Sequence, residues 1–167
     1  MVTNRVAVVT GANKGIGYFI ALQLGLSGKF SDVILGCRDA TRGANAMQEI
    51  QGQIDQKLSH VKVHSLPLEI GNDASQNEFC QRMQEEFGGS LDVLVNNAGM
   101  VRPSLVTKTD VRVWEEHLKV NLTGAFLCAL KVLPGMPRLL LKIHCLCPKG
   151  YHQKKLIERN LESWRVK

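Results

Sequence analysis

A glycine-rich turn near the amino end constrains the fold of this chain more than any other feature. It reads Thr10-Gly11-Ala12-Asn13-Lys14-Gly15-Ile16-Gly17 and lies between an apolar run and a segment of helical periodicity. In such a turn Gly11 permits a sharp change of direction, Gly15 lets the backbone approach a diphosphate, and Gly17 lets the helix pack on the sheet. A glycine triplet alone is weak evidence, but its place between strand and helix predicts a dinucleotide-binding unit.

Apolar runs alternate with helix-period segments over residues 1–137. The predicted strands are Arg5–Thr10, Asp32–Cys37, His60–Leu66 and Leu91–Val95, and the predicted helices are Gly15–Ser27, Ala40–Lys57, Asp73–Phe87 and Asp110–Leu133. Repeated strand–helix units imply parallel strands joined by right-handed crossovers, with helices on both faces. We therefore expect an α/β doubly wound parallel sheet.

The composition is that of an ordinary globular domain, with 167 residues, 44% of them hydrophobic and 22% charged. No apolar stretch reaches the ~20 residues that a bilayer span requires. The first predicted strand begins almost at Met1, so we expect no targeting segment. Five cysteines, an odd number, favour reduced thiols and a cytoplasmic location.

The formal net charge of +6 is carried by residues 138–167, and residues 1–137 are neutral. This break predicts a dinucleotide-binding domain over 1–137 and a divergent basic segment over 138–167. Within that segment Leu139–Cys147 could form a fifth strand and Lys154–Val166 a helix. A basic tail can bind nucleic acid or an acidic membrane surface, but we favour a solvated segment without such a partner.

Three motifs in this order resemble the short-chain dehydrogenase/reductase family. The turn has the spacing Thr-Gly-x-x-x-Gly-Ile-Gly, Asn96-Asn97-Ala98-Gly99 follows the fourth predicted strand, and Val120-Asn121-Leu122-Thr123-Gly124 lies in the long helix. The resemblance covers about residues 4–137 and implies a Rossmann fold with strand order 3-2-1-4 and an incomplete C-terminal edge. Cys37-Arg38-Asp39 looks like carbonyl reductases, and Val120–Cys128 looks like 3-oxoacyl reductases.

The end of the second strand favours NADP over NAD. An acidic residue about 20 positions past the glycines would bond the ribose 2′-hydroxyl of NAD, but Cys37 stands there and Arg38 follows. An arginine at this point can pair bidentately with a 2′-phosphate, and Lys14 adds a second cation, as the resemblance implies. The alternative is that Arg38 pairs with Asp39 or Asp73 on the surface.

The resemblance also implies roles for residues after the third and fourth strands. Glu69, beside Ile70, would accept from the adenine amino group, and the Asn97–Gly99 stretch would line the adenosine ribose; a plain turn is the alternative there. The predicted cofactor-binding residues are Gly11, Asn13, Lys14, Gly15, Ile16, Gly17, Arg38, Glu69, Ile70, Asn97, Ala98 and Gly99.

The resemblance implies hydride transfer between nicotinamide and the carbonyl or alcohol carbon of a small molecule. Tyr151 and Lys155 match the family's Tyr-x-x-x-Lys pair, and Asn121 matches the helix Asn that holds a relay water. Chance also explains a Tyr–Lys spacing in so basic a segment. No serine lies between Ser104 and Ser163 to orient a carbonyl, and only 12 residues follow Lys155. We therefore expect a truncated or divergent C-terminal part.

The sequence leaves two hypotheses about the function. The first is an NADP(H)-dependent oxidoreductase of a small-molecule carbonyl; the second is a non-catalytic NADP-binding or partner-interaction fragment. The second would dock through the Asp110–Leu133 helix, which family members use for dimers, so self-association stays open. His144-Cys145-Leu146-Cys147 with His152 lacks the spacing of structural zinc sites, so no metal is expected. Expected core residues are Cys37, Cys80, Cys128, Phe87, Trp114 and Phe126.

Overall fold

A computed structural model describes residues 5–55, 58–102, 109–132 and 141–143. The elements follow the predicted alternation. They are β1 (Val6–Thr10), α1 (Gly15–Leu26), β2 (Asp32–Cys37), α2 (Ala40–Asp55), β3 (Lys62–Pro67), α3 (Asp73–Phe87), β4 (Val93–Asn96), α4 (Val111–Leu118), a π-helical segment (Lys119–Gly124), α5 (Ala125–Val132) and β5 (Leu141–Ile143).

The strands form one parallel sheet in the order β3-β2-β1-β4-β5. At its centre Val8 lies opposite Ile34 of β2 and Leu94 of β4. The doubly wound α/β sheet and the order 3-2-1-4 are therefore confirmed. The fifth strand pairs with β4 over Leu141–Ile143; the rest of the stretch predicted for it, and the helix predicted over Lys154–Val166, lie outside the described residues.

The core is divided between the two faces of the sheet, because successive strand side chains point to opposite faces. Val33 and Leu35 belong to the cluster that α1 and α2 cover, together with Ile50. Ile34 belongs to the opposite cluster, which contains Phe79 of α3 and elements of α5. Helices on both faces explain why β1, β2 and β4 are mostly apolar and buried along their length instead of alternating.

The long helix predicted over Asp110–Leu133 is three consecutive helical segments, α4, the π-helical segment and α5. The last residue of the π-helical segment, Gly124, crosses the loop after β3. A Cβ on Gly124 would lie 2.7 Å from the Gly71 nitrogen and 2.8 Å from Cγ2 of Ile70. Only glycine fits this crossing, and π-helical insertions are frequent at functional sites.

The prediction that Trp114 and Phe126 belong to the core is wrong. Their side chains are 58% and 59% exposed, because the helix turns its other side, including Cys128 and Ala129, toward the sheet. Phe87 is half-buried against that cluster, and the thiols of Cys37 and Cys128 are buried. The exposed residues share one outer face and form an apolar stripe: Val111, Trp114, Leu118, Leu122, Phe126 and Leu130.

None of the helices in the described part of the chain has the length and apolar character needed to cross a membrane. Within the same residues, His, Cys, Asp and Glu side chains form no group of three that could hold a metal ion.

Candidate dinucleotide-binding site

The glycine-rich turn joins β1 to α1 with the backbone that the sequence predicts. Gly11 and Gly15 have left-handed φ values of +66° and +61°, which side-chain-bearing residues rarely adopt. The Gly11 N–H donates to the Gly36 carbonyl at 2.7 Å. A Cβ on Gly17 would run into the side-chain amide of Asn97 and lie 2.6 Å from the Gly11 oxygen. Gly15, by contrast, is exposed with open space beside it.

Thr10 bonds this turn to the Asn-Asn-Ala-Gly segment after β4. Its buried hydroxyl accepts from the backbone N–H of Asn97 at 3.0 Å and of Ala98 at 2.9 Å. In return the Asn97 side chain donates to the carbonyls of Thr10 at 2.9 Å and Gly11 at 3.2 Å. Gly99 is exposed next to them. The two motifs, more than eighty residues apart, thus form one rigid edge.

Cys37 supports the same turn from the end of β2. The residue is 1% exposed, and burial raises the pKa of its thiol to about 11, although hydrogen bonds from the backbone of Ala12 and Asn13 oppose the shift. The thiol is therefore neutral near pH 7. In the turn above it, Lys14 is exposed and Ile16 packs against the core cluster under α1.

Arg38, exposed at the end of β2, forms no ion pair with the two carboxylates that the sequence offered as partners. Asp39 instead pairs with Arg42, whose Nε lies 3.3 Å away and whose backbone N–H donates to Oδ1 at 2.9 Å. Asp73 pairs with Lys131 at 2.8 Å, and this hydrogen bond lowers the pKa of Asp73. Both carboxylates have other cations, which leaves the Arg38 guanidinium facing solvent beside the turn.

Glu69 and Ile70 follow β3 and differ in what they can offer a ligand. The Glu69 carboxylate accepts from the Asn72 amide at 3.1 Å, and its N–H donates to the Ser75 hydroxyl at 2.9 Å. It is thus tied to the start of α3, where Asn72 also accepts from the Ser75 N–H. The Ile70 side chain is buried in the core, so only its backbone is available to a ligand.

Asn121 lies in the π-helical segment and binds the chain just after Asn-Asn-Ala-Gly. Its Oδ1 accepts from the Met100 N–H and its Nδ2 donates to the Met100 carbonyl, both at 2.8 Å. This two-way bond brings the third motif to the same edge as the first two. Since both side-chain atoms are engaged, the backbone of Asn121 is the part left to hold a water.

Two buried amides that the sequence analysis did not single out hold the end of the π-helical segment. Gln76, 1% exposed, donates to the Gly124 carbonyl at 2.8 Å, and Asn96 donates to the Ala125 carbonyl at 3.4 Å. The oxygens of both amides have no hydrogen-bond partner among the described residues. For Gln76 the sequence offered one signal, a glutamine at a core-facing position of a helix, because a buried amide requires a hydrogen-bond partner.

All these groups lie at the carboxyl ends of parallel strands. The turn follows β1, Arg38 follows β2, Glu69 follows β3 and Asn97 follows β4. Because the chain proceeds from β1 to β2 and β3 on one side and places β4 on the other, the sheet changes direction between β1 and β4. Ligands of open α/β sheets bind in the crevice at such a point.

Comparison with known proteins identifies the family. The family model described as short chain dehydrogenase matches residues 5–139. The chain belongs to the short-chain dehydrogenase/reductase family. It is 36% identical over 133 residues to an uncharacterized oxidoreductase of Staphylococcus saprophyticus, covering 80% of this chain and 53% of that protein. It is 33% identical over 135 residues to a 3-oxoacyl-(acyl-carrier-protein) reductase of Staphylococcus epidermidis, with 81% and 52% covered.

Solved structures of other proteins share this fold. A metagenomic short-chain oxidoreductase in complex with NADP superposes with a TM-score of 0.69 at 27% identity, covering 80% of this chain and 57% of that one. L-sorbose reductase from Gluconobacter frateurii gives a TM-score of 0.67 at 22% identity, with 80% and 48% covered. The chain spans about half the length of the curated relatives it matches.

Several predicted residues lie outside the described part of this short-chain dehydrogenase/reductase. Tyr151 and Lys155, the predicted acid/base pair, are among them, and so are the residues weighed for zinc, His144, Cys145 and Cys147, together with His152. The described part therefore contains the cofactor half of the predicted site and Asn121, and the roles of all these residues stay predictions.

The crowding around Gly17 predicts a large effect of a single methyl group. Gly17→Ala would force that methyl against the Gly11 carbonyl and the Asn97 amide. We expect the free energy of unfolding to fall by about 1–3 kcal/mol, as for other overpacked sites. Urea denaturation followed by circular dichroism measures the change.

Gly52→Ala is the matched control. Gly52 is exposed in the last turn of α2, and a Cβ there would meet nothing within 4 Å. Alanine is the better helix former, so this variant should gain about 0.5–1 kcal/mol. Equal losses in both variants would contradict the packing described for Gly17.

Proposed function

We propose that this chain binds NADP(H) and serves an oxidoreductase that interconverts a carbonyl and an alcohol on a small molecule. One observation carries the proposal: the glycine-rich turn is held at the switch point of the sheet, beside an arginine that has no ion-pair partner among the described residues. The 27%-identical structural relative is described in complex with NADP, and a 33%-identical relative is a 3-oxoacyl reductase. Both descriptions support the proposal by analogy.

The diphosphate would lie over the turn, where the first N–H groups of α1 point outward and the helix dipole favours negative charge. Gly15 leaves space for close approach, since nothing lies within 4 Å of its Cβ position. The residues proposed to contact the cofactor are those of the sequence analysis: Gly11, Asn13, Lys14, Gly15, Ile16, Gly17, Arg38, Glu69, Ile70, Asn97, Ala98 and Gly99.

The choice of NADP over NAD rests on charge. Arg38 and Lys14 are both exposed on the turn side of β2. Asp39 and Asp73, the two carboxylates considered as partners of Arg38, pair with other cations. A guanidinium can bind a phosphate through two parallel hydrogen bonds. The 2′-phosphate, which NAD lacks, is therefore the group that distinguishes the two cofactors here.

Chemistry requires residues beyond the described ranges. When bound, the nicotinamide would supply or accept the hydride. Tyr151 would give or take the proton, and Lys155 would lower its pKa from the ordinary value near 10, because a neighbouring cation favours the phenolate. Asn121 would hold a water of the proton relay. The domain division at residue 137 and a cytoplasmic location remain predictions.

The second candidate is a cofactor-binding fragment without turnover, favoured by the lack of a serine between Ser104 and Ser163 that could orient a carbonyl. Mixing the purified chain with NADPH and a panel of aldehydes and ketones separates the two. Consumption of NADPH at 340 nm that is lost in Tyr151→Phe supports the enzyme. Binding of NADPH without its consumption supports the fragment and contradicts catalysis by Tyr151.

Arg38 should determine the preference between cofactors. We expect NADPH to bind more tightly than NADH, and Arg38→Ala to weaken NADPH about tenfold or more while NADH changes little, because a lost charged hydrogen bond costs about 1.5–3 kcal/mol. Fluorescence titration of the bound dihydronicotinamide measures both constants.

Arg112→Ala serves as the control, since Arg112 is a highly exposed arginine of α4 and should leave both affinities unchanged. Tighter binding of NADH, or equal weakening of both cofactors in Arg38→Ala, would contradict the role of Arg38. Failure to bind either cofactor at millimolar concentration would overturn the proposed function itself.

The apolar stripe is proposed as the surface through which the chain self-associates. Its six large side chains cover consecutive turns from α4 to α5, and monomeric proteins rarely expose such a continuous patch. Two copies of one helix face can pair around a two-fold axis. The resemblance to the family assigns dimer formation to the same helix.

Leu122→Glu should break this association. Leu122 is 64% exposed at the centre of the stripe, so a charge there would be buried without a partner in a dimer. Sedimentation velocity should show dimers for the unmodified chain and monomers for Leu122→Glu. Val101→Glu, equally exposed but off the stripe, should remain dimeric. A monomeric unmodified chain would contradict the proposal.

A further inference from the structure

We propose that His117 is a positioning residue of this site. As a neutral ring protonated on Nδ1, it bonds the backbone of the segment Met100–Arg102 to α4 and thereby keeps Met100 in place on Asn121. This segment directly follows the Asn-Asn-Ala-Gly motif, so it leads from the proposed cofactor edge toward the rest of the site.

The two contacts of the imidazole allow only one protonation state. Nδ1 lies 2.7 Å from the carbonyl oxygen of Val113, and because a carbonyl only accepts, Nδ1 must carry the hydrogen. Nε2 lies 2.9 Å from the backbone nitrogen of Arg102. That N–H only donates, so Nε2 must be the unprotonated acceptor. The ring is therefore neutral in its Nδ1–H tautomer, which its neighbours select.

The same short segment has three contacts with the helix. Met100 makes both backbone bonds to Asn121, Arg102 donates its N–H to His117, and the Arg102 guanidinium pairs with Glu116 at 2.9 Å. His117 and Asn121 are four residues apart, so their side chains project to one side of the helix. The bond from Arg102 to His117 therefore restricts the backbone at Met100, and the bonds between Met100 and Asn121 restrict the backbone at Arg102.

Packing contributes little to this attachment. Val101, between the two bonded residues, is 70% exposed, and both partners of the Arg102–Glu116 pair are about half exposed or more. Exposed ion pairs of this kind contribute little to stability. The His117 bond is thus the directional contact that orients the carboxyl end of the segment, and its loss should loosen Met100 from Asn121.

The importance of this contact for chemistry rests on the proposed function, in which Asn121 holds the relay water. The contact itself does not depend on that function, so it is tested without cofactor. A chain that binds no nicotinamide cofactor would overturn the proposed function and leave the assignment of His117 unaffected.

Nitrogen NMR of the uniformly labelled full chain at pH 8 tests the tautomer. Long-range proton–nitrogen correlations distinguish a protonated ring nitrogen from an unprotonated one. His117 should show a protonated Nδ1 and an unprotonated Nε2. His60 is the internal control with the opposite pattern, because its Nε2 faces the Gly28 carbonyl at 3.2 Å and must donate. An Nε2–H tautomer at His117 would overturn the inference.

Paired substitutions test the positioning. His117→Leu removes both bonds, whereas His117→Gln can place its Oε1 near the Nε2 position and accept again from Arg102. In the leucine variant we expect the Met100 amide to exchange roughly tenfold faster, as loss of about 1.4 kcal/mol of local protection implies, and the Asn121 side-chain amide signals to move toward solvent-exposed values.

The glutamine variant should restore both signals to nearly the unmodified values. His60→Leu, on the opposite part of the fold, should leave them unchanged. Unchanged Met100 exchange in His117→Leu, or a glutamine variant no better than leucine, would overturn the inference. If the leucine variant does not fold, the tautomer of the unmodified chain and the signals of His117→Gln decide the question.

Discussion

The rest of the site depends on the close approach of the glycine-rich turn to the end of β4. The Thr10 hydroxyl accepts two backbone N–H groups from the Asn97–Ala98 peptide units, and the Asn97 amide returns two bonds to the turn. No side chain fits at Gly17, because its Cβ position is occupied by the turn and by Asn97. Because Gly17 has no side chain, the ends of β1 and β4 approach closely enough to form one crevice. The helix dipole of α1 then points into this crevice.

The helix from α4 to α5 connects this edge to the rest of the molecule and has two very different faces. Its inner face passes over the loop after β3 at Gly124 and is held there by the buried Gln76 amide. Its outer face exposes the apolar stripe. Asn121, whose side chain bonds to Met100, lies within the π-helical segment, where each turn contains one residue more than in an α-helix. Packing of the inner face and the hydrogen bonds made by Gln76 and Asn121 thus orient the same helix.

Much of this could be predicted from local pattern. Continuous apolar runs such as Val6–Val9 and Val33–Leu35 are typical of strands covered on both sides, and their alternation with helices predicted the parallel sheet. The burial of Cys37 also followed. Periodicity could not show which face of the long helix meets the sheet, since Trp114 and Cys128 both lie on apolar positions. The contacts of Thr10, Gln76 and His117 could not be predicted either, because their partners are remote in sequence or depend on the π-helical turn.

The sequence by itself determined the alternation of strands and helices, the parallel direction of the strands and the location of the glycine-rich turn, because glycine spacing and apolar periodicity act over a few residues. The tertiary structure decided that Asp39 pairs with Arg42 and Asp73 with Lys131, so that Arg38 pairs with neither carboxylate. It also decided which face of the long helix is exposed and which nitrogen of His117 carries the proton. Those outcomes depend on atoms from different strands and helices meeting within about 3 Å, and that proximity exists only once the chain has folded.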